Sequence, residues 1–174
     1  GADLTTFVRE GNTRGLFERR VVASLLTGEP EYMIPLGEET PEGWITTGYP
    51  WDKIEEPKHK AFVQAYRKRF PEGPVMSADA EASYVAMGLL ARALAQAGSD
   101  DIARVKSAVT RLRLQAPQGE VWMDEDTFHA YLTPRIGRSN GNAQFDIIME
   151  AAQPVRPDPY LVWNSSRYDE TVRP

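Results

Sequence analysis

Apolar positions along the chain follow two different periods, and each period predicts its own kind of element. Leu4, Phe7, Val8, Gly11, Gly15 and Leu16 recur at helical spacing, which predicts a helix over residues 3–17 with a far end weakened by glycine. Residues 20–26 are a near-continuous apolar run rich in valine, the pattern of a strand buried on both faces. A polar, proline-bearing loop follows, with a short helical turn predicted around residues 32–36. Residues 44–47 form a second strand that runs straight into Gly48, Tyr49, Pro50 and Trp51.

Pro57 opens an amphipathic helix that stops at Pro71, with Ala61, Phe62, Ala65, Tyr66 and Phe70 on one side. Ser77 or Asp79 caps a longer helix ending near Gly98. Its middle is apolar on almost every side, interrupted only by Arg92 and Gln96, so it is expected to be buried between other elements. Ser99 caps a third helix with Ile102, Val105, Val109 and Leu112 as its stripe. From residue 114 the period changes to that of strands. Residues 120–123 read as one strand, residues 128–136 alternate as a second, and residues 144–149 pair back after the turn signal Ser-Asn-Gly-Asn. The order is helix, strand, loop, strand, three helices, then a β-meander. That order implies an α/β organisation whose strand inventory is incomplete for a self-sufficient domain.

Composition narrows the function. The chain has 174 residues, 41% hydrophobic and 26% charged, so it is globular rather than disordered. A net charge of −5, with the densest basic run (Arg67, Lys68, Arg69) on a solvated helix face, argues against a nucleic-acid partner. The absence of cysteine excludes disulfides, thiolate metal sites and cysteine nucleophiles from these residues. No apolar run reaches the roughly 18 residues of a membrane span. The opening Gly-Ala-Asp carries no leader pattern, as expected of a mature product or a fragment.

Chemistry-bearing motifs are few. His59 and His129 lack ligand spacing, and Asp124, Glu125 and Asp126 lack the glycine and distant glutamate of a calcium loop, so no metal site is expected. Phosphate-binding, dinucleotide and nucleophile-elbow motifs are missing, so neither a cofactor nor a catalytic residue is assigned. Glu29 with Glu31, or Glu38 with Glu39, could be drawn as an acid–base pair, but 25 acidic residues make such neighbours common. Two loops at strand ends remain. One offers the Thr27 hydroxyl, the Gly28 backbone N–H and the Glu29 carboxylate. The other offers the flat faces of Tyr49 and Trp51. In open α/β sheets, ligands bind beyond the carboxyl ends of strands, so these residues suit a small, partly polar organic solute. The plain alternative is that Tyr49 and Trp51 cover a lobe edge.

Six segments taken in order complete the reading: "ASLLTGEPEY", "PEGWITTGYPW", "HKAFVQAYRKRFP", "SADAEASYVAMGLLARALAQAGSDD", "APQGEVWMDED" and "PVRPDPYLVWN". Together they resemble the second half of the periplasmic solute-binding proteins of ABC importers for branched-chain amino acids, amides and urea. The last two segments are similar to the amide- and urea-binding subgroup, which includes an amide-sensing regulator. The resemblance implies a type I periplasmic-binding fold: two Rossmann-like α/β lobes joined by three crossover strands and closing over a ligand. Residues 1–56 would be the later part of lobe two, 57–115 the helices returning to lobe one, and 116–174 the return to lobe two with the C-terminal tail. It also implies ligand contacts from Thr27, Gly28 and Glu29, from Tyr49 and Trp51 at the cleft mouth, and from Glu39, near where amino-acid binders place an acid for the ligand ammonium. The implied partners are a small-molecule ligand, a membrane permease and the N-terminal half of the same protein, in a periplasmic setting and without catalysis. Two other readings stand beside it: a cytoplasmic amide-sensing regulatory protein of the same fold, and a hydrolase using Glu29 or Glu39. The missing strands further imply that these 174 residues do not fold stably alone.

Overall fold

A computed structural model describes residues 2–24, 30–47 and 53–159. In chain order its elements are α1 (Ala2–Thr13), β1 (Ala23–Ser24), α2 (Pro30–Met33), a 3-10 helix (Ile34–Glu39), β2 (Glu42–Thr46), α3 (Pro57–Arg69), α4 (Ala78–Ala97), α5 (Ile102–Val109), β3 (Leu114–Ala116), β4 (Gly119–Met123), β5 (Ala130–Tyr131), β6 (Arg135–Asn140) and β7 (Phe145–Glu150). The class is mixed α/β, as the element order implies. The elements fall into two packed groups, and the principal contacts between elements stay within each group.

The first group is a four-stranded sheet in the order β1-β2-β6-β7, with α1, α2 and the 3-10 helix against it. The predicted helix over 3–17 ends earlier, at Thr13. Gly15 takes φ +64°, its N–H donates to Asn12 O at 3.1 Å, and Leu16 N–H donates to Gly11 O at 2.8 Å. These are the paired bonds of a Schellman ending, which the glycine makes cheap. Val8, Met33, Leu36 and Trp44 form the buried core here, and Phe17 stands edge-on to Trp44 with ring centroids 4.8 Å apart.

Over its described residues, 20–24, the run does not become a strand buried on both faces. Its described strand is only Ala23–Ser24, at the edge of the sheet, and Val21 is 85% exposed. A β-branched run is buried on both faces only when strands and layers flank it, and here β2 is its one described neighbour.

The second group centres on α4. Ser77 Oγ accepts from Ala80 N–H at its start, and Gly98 closes its end in the left-handed region at φ 58°, both as the sequence predicts. Val85 and Leu89 on one face pack with Leu114, Ala116 and Val121 of the antiparallel sheet β3-β4-β5. The expectation that α4 is buried all round is not met. Tyr84, Met87, Leu90 and Leu94 are 38–65% exposed, because the described residues cover this face only in part, the Phe62 ring of α3 lying 4.6 Å from that of Tyr84. At the next helix Asp101, not Ser99, is the cap, its carboxylate accepting from Arg104 N–H at 3.0 Å. The single strand expected over 128–136 is two, β5 and β6. Pro134, with no N–H for a ladder, separates them. β3 was not anticipated. Its three residues are too short to show a period.

One ion-paired knot ties the later chain to β4-β5. Asp124, 4% exposed, accepts from Thr127 N and Oγ1 and from Arg156 Nε at 2.9 Å. Burial pushes its carboxyl up, but the Arg156 guanidinium and the Thr127 hydrogen bonds outweigh that and hold it below the usual range. A depressed carboxyl stabilises the fold above its unfolded pKa, and that contribution is lost as pH falls through the lowered value. Asp124→Asn should therefore flatten the loss of stability below about pH 4, read as the urea midpoint against pH. An unchanged acid limb would remove this pair from the account.

Candidate functional site

Parallel pairing decides where the two strand-end loops go. β1 and β2 run in the same direction with Ser24 opposite Thr46, so the segments that follow them leave from one edge of the sheet. Those segments hold Thr27, Gly28 and Glu29 on one side and Tyr49 and Trp51 on the other. These five predicted residues lie outside the described residues; the strand ends that lead into them are described and adjacent.

The antiparallel strands complete the same edge. Thr46 is opposite Gly137 near the start of β6, and Arg135 is opposite Glu150 at the end of β7. Beyond this edge opens a cleft of about 380 Å³, lined by Lys53 to Pro57, Arg135, Ile147 and Glu150. Arg135, its side chain only 9% exposed, donates from Nε to Glu150 Oε2 at 2.5 Å. Lys53 Nζ lies 3.5 Å from Asp146 Oδ1, and Glu55 pairs with Lys60, whose hydrogen bond and charge hold the Glu55 carboxyl below its usual range. The cations Lys53 and Arg135, the carboxylates Glu55, Glu56 and Glu150 and the apolar Ile54 and Ile147 thus share one lining, suited to a small polar organic molecule.

Thr46 is the residue that sequence reasoning missed. It is 1% exposed, and its Oγ1 has no hydrogen-bond partner among the described residues. A buried idle hydroxyl at the carboxyl end of a strand is a cost that a ligand or a neighbouring loop can offset. No local pattern marks it, since threonine is ordinary in any strand.

Glu39 stands apart from this edge. It precedes the amino end of β2, about 17 Å of strand away from the carboxyl end. Its carboxylate accepts from Arg9 Nε at 2.9 Å, and its backbone carbonyl from Asn12 Nδ2 at 3.3 Å, clamping α1 onto the 3-10 helix. Neither Glu38 nor Glu39 faces the cleft lining. Among the described residues no cluster of His, Asp and Glu could hold a metal ion, and no helix is long and apolar enough to cross a membrane.

Comparison with known proteins agrees with this architecture. A family model described as "Periplasmic binding protein domain" matches residues 1–166. Among solved structures, an amino acid ABC transporter substrate-binding protein from Pseudomonas fluorescens superposes with a TM-score of 0.74 at 19% identity, covering 91% of this chain and 43% of that one. An ABC transporter solute-binding protein from R. palustris, solved with benzoate, gives 0.74 at 15% identity, covering 91% of this chain and 42% of that one. A curated relative, limonene hydroxylase of Geobacillus stearothermophilus, is 23% identical over 126 residues, 72% of this chain and 23% of that protein. The chain thus spans less than half the length of each of these proteins. With the family model matching nearly its whole length, the chain belongs to the periplasmic binding protein domain family, as part of a type I periplasmic-binding fold.

Proposed function

We propose that these residues are part of a solute-binding protein of an ABC importer, acting outside the cytoplasm. The protein captures a small organic solute (an amide, urea, an amino acid or an aromatic acid) between two lobes and delivers it to a membrane permease. The observation that carries this reading is the parallel pairing of β1 and β2, whose carboxyl ends share one edge of the sheet with the ends of β6 and β7, where Arg135 and Glu150 line a polar cleft. Family membership and the structural likeness to solute-binding proteins support a role in binding rather than turnover. In this reading Thr27, Gly28 and Glu29 meet the polar part of the solute and Tyr49 and Trp51 its flat face. Thr46 adds a hydroxyl from the strand end, and Glu39 serves the α1 clamp instead of the solute.

The lobes follow from the same reading. Residues 1–56 belong to lobe two and 57–115 to lobe one. Residues 116–174 make the return to lobe two with the C-terminal tail, and the packing of β3-β4-β5 with α4 supports a crossing completed by about Pro134. Solute bridging both lobes favours the closed form by its differential affinity for that form, and the closed form is what a permease would recognise.

Mass spectrometry of small molecules released from the purified full-length protein, followed by calorimetric titration of the compound found, tests the proposal. The expected outcome is one tightly bound organic solute per protein. Trp51→Ala should weaken its binding on the order of tenfold to a hundredfold, about 1.4–2.8 kcal/mol. Saturable turnover of that compound without retention would overturn the reading. Unchanged affinity in Trp51→Ala would return that side chain to the edge of the lobe.

A further inference from the structure

A line of polar side chains joins the two packed groups, and its central carboxylate is unusual. Glu81, on the first turns of α4, is 1% exposed. Its Oε2 accepts from Gln118 Nε2 at 2.7 Å, while its Oε1 has no hydrogen-bond partner among the described residues. Gln118 lies in the turn between β3 and β4, and its backbone carbonyl accepts from Arg135 Nη2 at 3.4 Å. Arg135, at the start of β6, is bonded in turn to Glu150 at the end of β7. Four elements from both groups are thereby strung on one line, at the place where the chain crosses between them.

Local stability does not explain a carboxylate here. A buried acid with an idle oxygen is costly, and an apolar side chain of similar volume would cost less. Burial pushes the Glu81 carboxyl up to about 7, against the lowering influence of the Gln118 hydrogen bonds and the Arg135 charge. The charged or titratable groups around it are few. From the β6 side there is Arg135, already engaged by Glu150. The β3-β4 turn contributes the neutral amide of Gln118. α3 packs on the first turn of α4 through Phe62 and Tyr66, and its buried titratable side chain is His59. The nearest acid on α4 itself, Asp79, is exposed.

We propose that Glu81, Gln118, Arg135 and Glu150 form a proton-gated brace that sets the relative orientation of the two packed groups. With Glu81 neutral, Arg135 stays on Glu150 and the junction is held as described. When Glu81 ionises, its proton passes to solvent, and the new charge competes with Glu150 for the one guanidinium between them. The bond that fastens the ends of β6 and β7 then weakens, and because the cost of burying the ion outweighs the attraction of Arg135 across the junction, the junction opens so that water can reach the carboxylate. The sign follows: the braced form is favoured at lower pH and the loosened form at higher pH, with the change centred near neutrality.

Spin labels on cysteines introduced at the exposed positions Gln96 and Asn142 of the full-length protein report the distance between the groups. The measurement is made without solute, so its failure would leave the binding proposal untouched. Between about pH 5 and about pH 9 the ratio of two distance populations should change on the order of tenfold or more. Glu81→Gln, which keeps the shape and removes the charge, should hold the low-pH distribution throughout. The Glu81 carboxyl carbon, followed by NMR in the otherwise unaltered protein, should titrate near neutrality, which tests the brace even if the variant does not fold. A carboxyl titrating in the ordinary glutamate range would overturn the proposal, as would a pH response that survives Glu81→Gln or no pH response at all.

Discussion

The 174 residues taken alone should melt broadly, without a cooperative transition, and bind a hydrophobic dye before they melt. Joined to the remainder of the fold that their solved relatives carry, they should melt sharply. The reason is the uncovered apolar surface. Tyr84, Met87, Leu90 and Leu94 lie along α4 at 38–65% exposure, Ile102 on α5 is 75% exposed, and Val21 before β1 is 85% exposed. Fully covering a large aliphatic side chain is worth about 1.5–3 kcal/mol, so completing these six is worth on the order of 5 kcal/mol or more. That is a large part of the roughly 5–15 kcal/mol that separates a folded domain from its unfolded chain. The solved relatives are more than twice as long, with this chain covering 41–43% of several of them, so they have chain to spare for that surface. Calorimetry decides the matter. A monomeric 174-residue piece whose calorimetric and van't Hoff enthalpies agree would show that its own core suffices.

The second large effect is expected at the hairpin β6-β7. Phe145 is 1% exposed, and its ring lies directly over Gly137. A Cβ placed on residue 137 would sit 1.9 Å from Phe145 Cδ2 and 2.8 Å from Cγ, so Gly137→Ala must push a buried ring off its seat. Overpacking of this kind costs about 1–3 kcal/mol, and Phe145→Ala, which empties the seat, about 3–5 kcal/mol. The two substitutions share one volume and should not add. In the full-length protein the double variant should be little worse than Phe145→Ala alone, because the introduced methyl then occupies part of the vacated space. Strict additivity of the urea-derived free energies would show that the ring and the glycine do not interact. The consequence reaches the candidate site, since Gly137 is opposite Thr46 and a displaced β6 would move the carboxyl edge of β2.

Much of the fold is legible in the residues themselves. The cap and stop of α4 at Ser77 and Gly98, the proline start of α3 and the short helical turn before Glu39 are written in residues whose backbone preferences are local. Two of the places where reading failed share one cause. A helix apolar on most sides was expected to be enclosed, but periodicity reports which faces need cover and not whether the cover is present. The apolar run beginning at Arg20, with Val21 and Val22, misled in the same way. Pro134 was the overlooked local signal, a residue that cannot donate to a ladder set inside an alternating stretch that otherwise reads as one strand.

The candidate site divides along the same line. The loops with Thr27 to Glu29 and with Tyr49 and Trp51 could be picked out because each follows a strand and carries groups that suit a solute. That the strands before them are parallel and adjacent depends on pairing between residues 22 apart in the chain, Ser24 opposite Thr46. Which neighbours a carboxylate has is likewise long-range information. Glu39 was a candidate as an acid near a loop, and the tertiary structure pairs it with Arg9, 30 residues earlier. Glu81 drew no notice as one acid in a helix's first turns, and its burial beside Gln118, 37 residues further on, pushes its carboxyl up. By itself, then, the sequence determined the periods, the caps, the breaks and the loops able to hold a solute, because these follow from each residue's own backbone and side-chain preferences. Only the tertiary structure decided which edges meet, which apolar faces stay open and which acids lose their water, because those depend on partners distant along the chain.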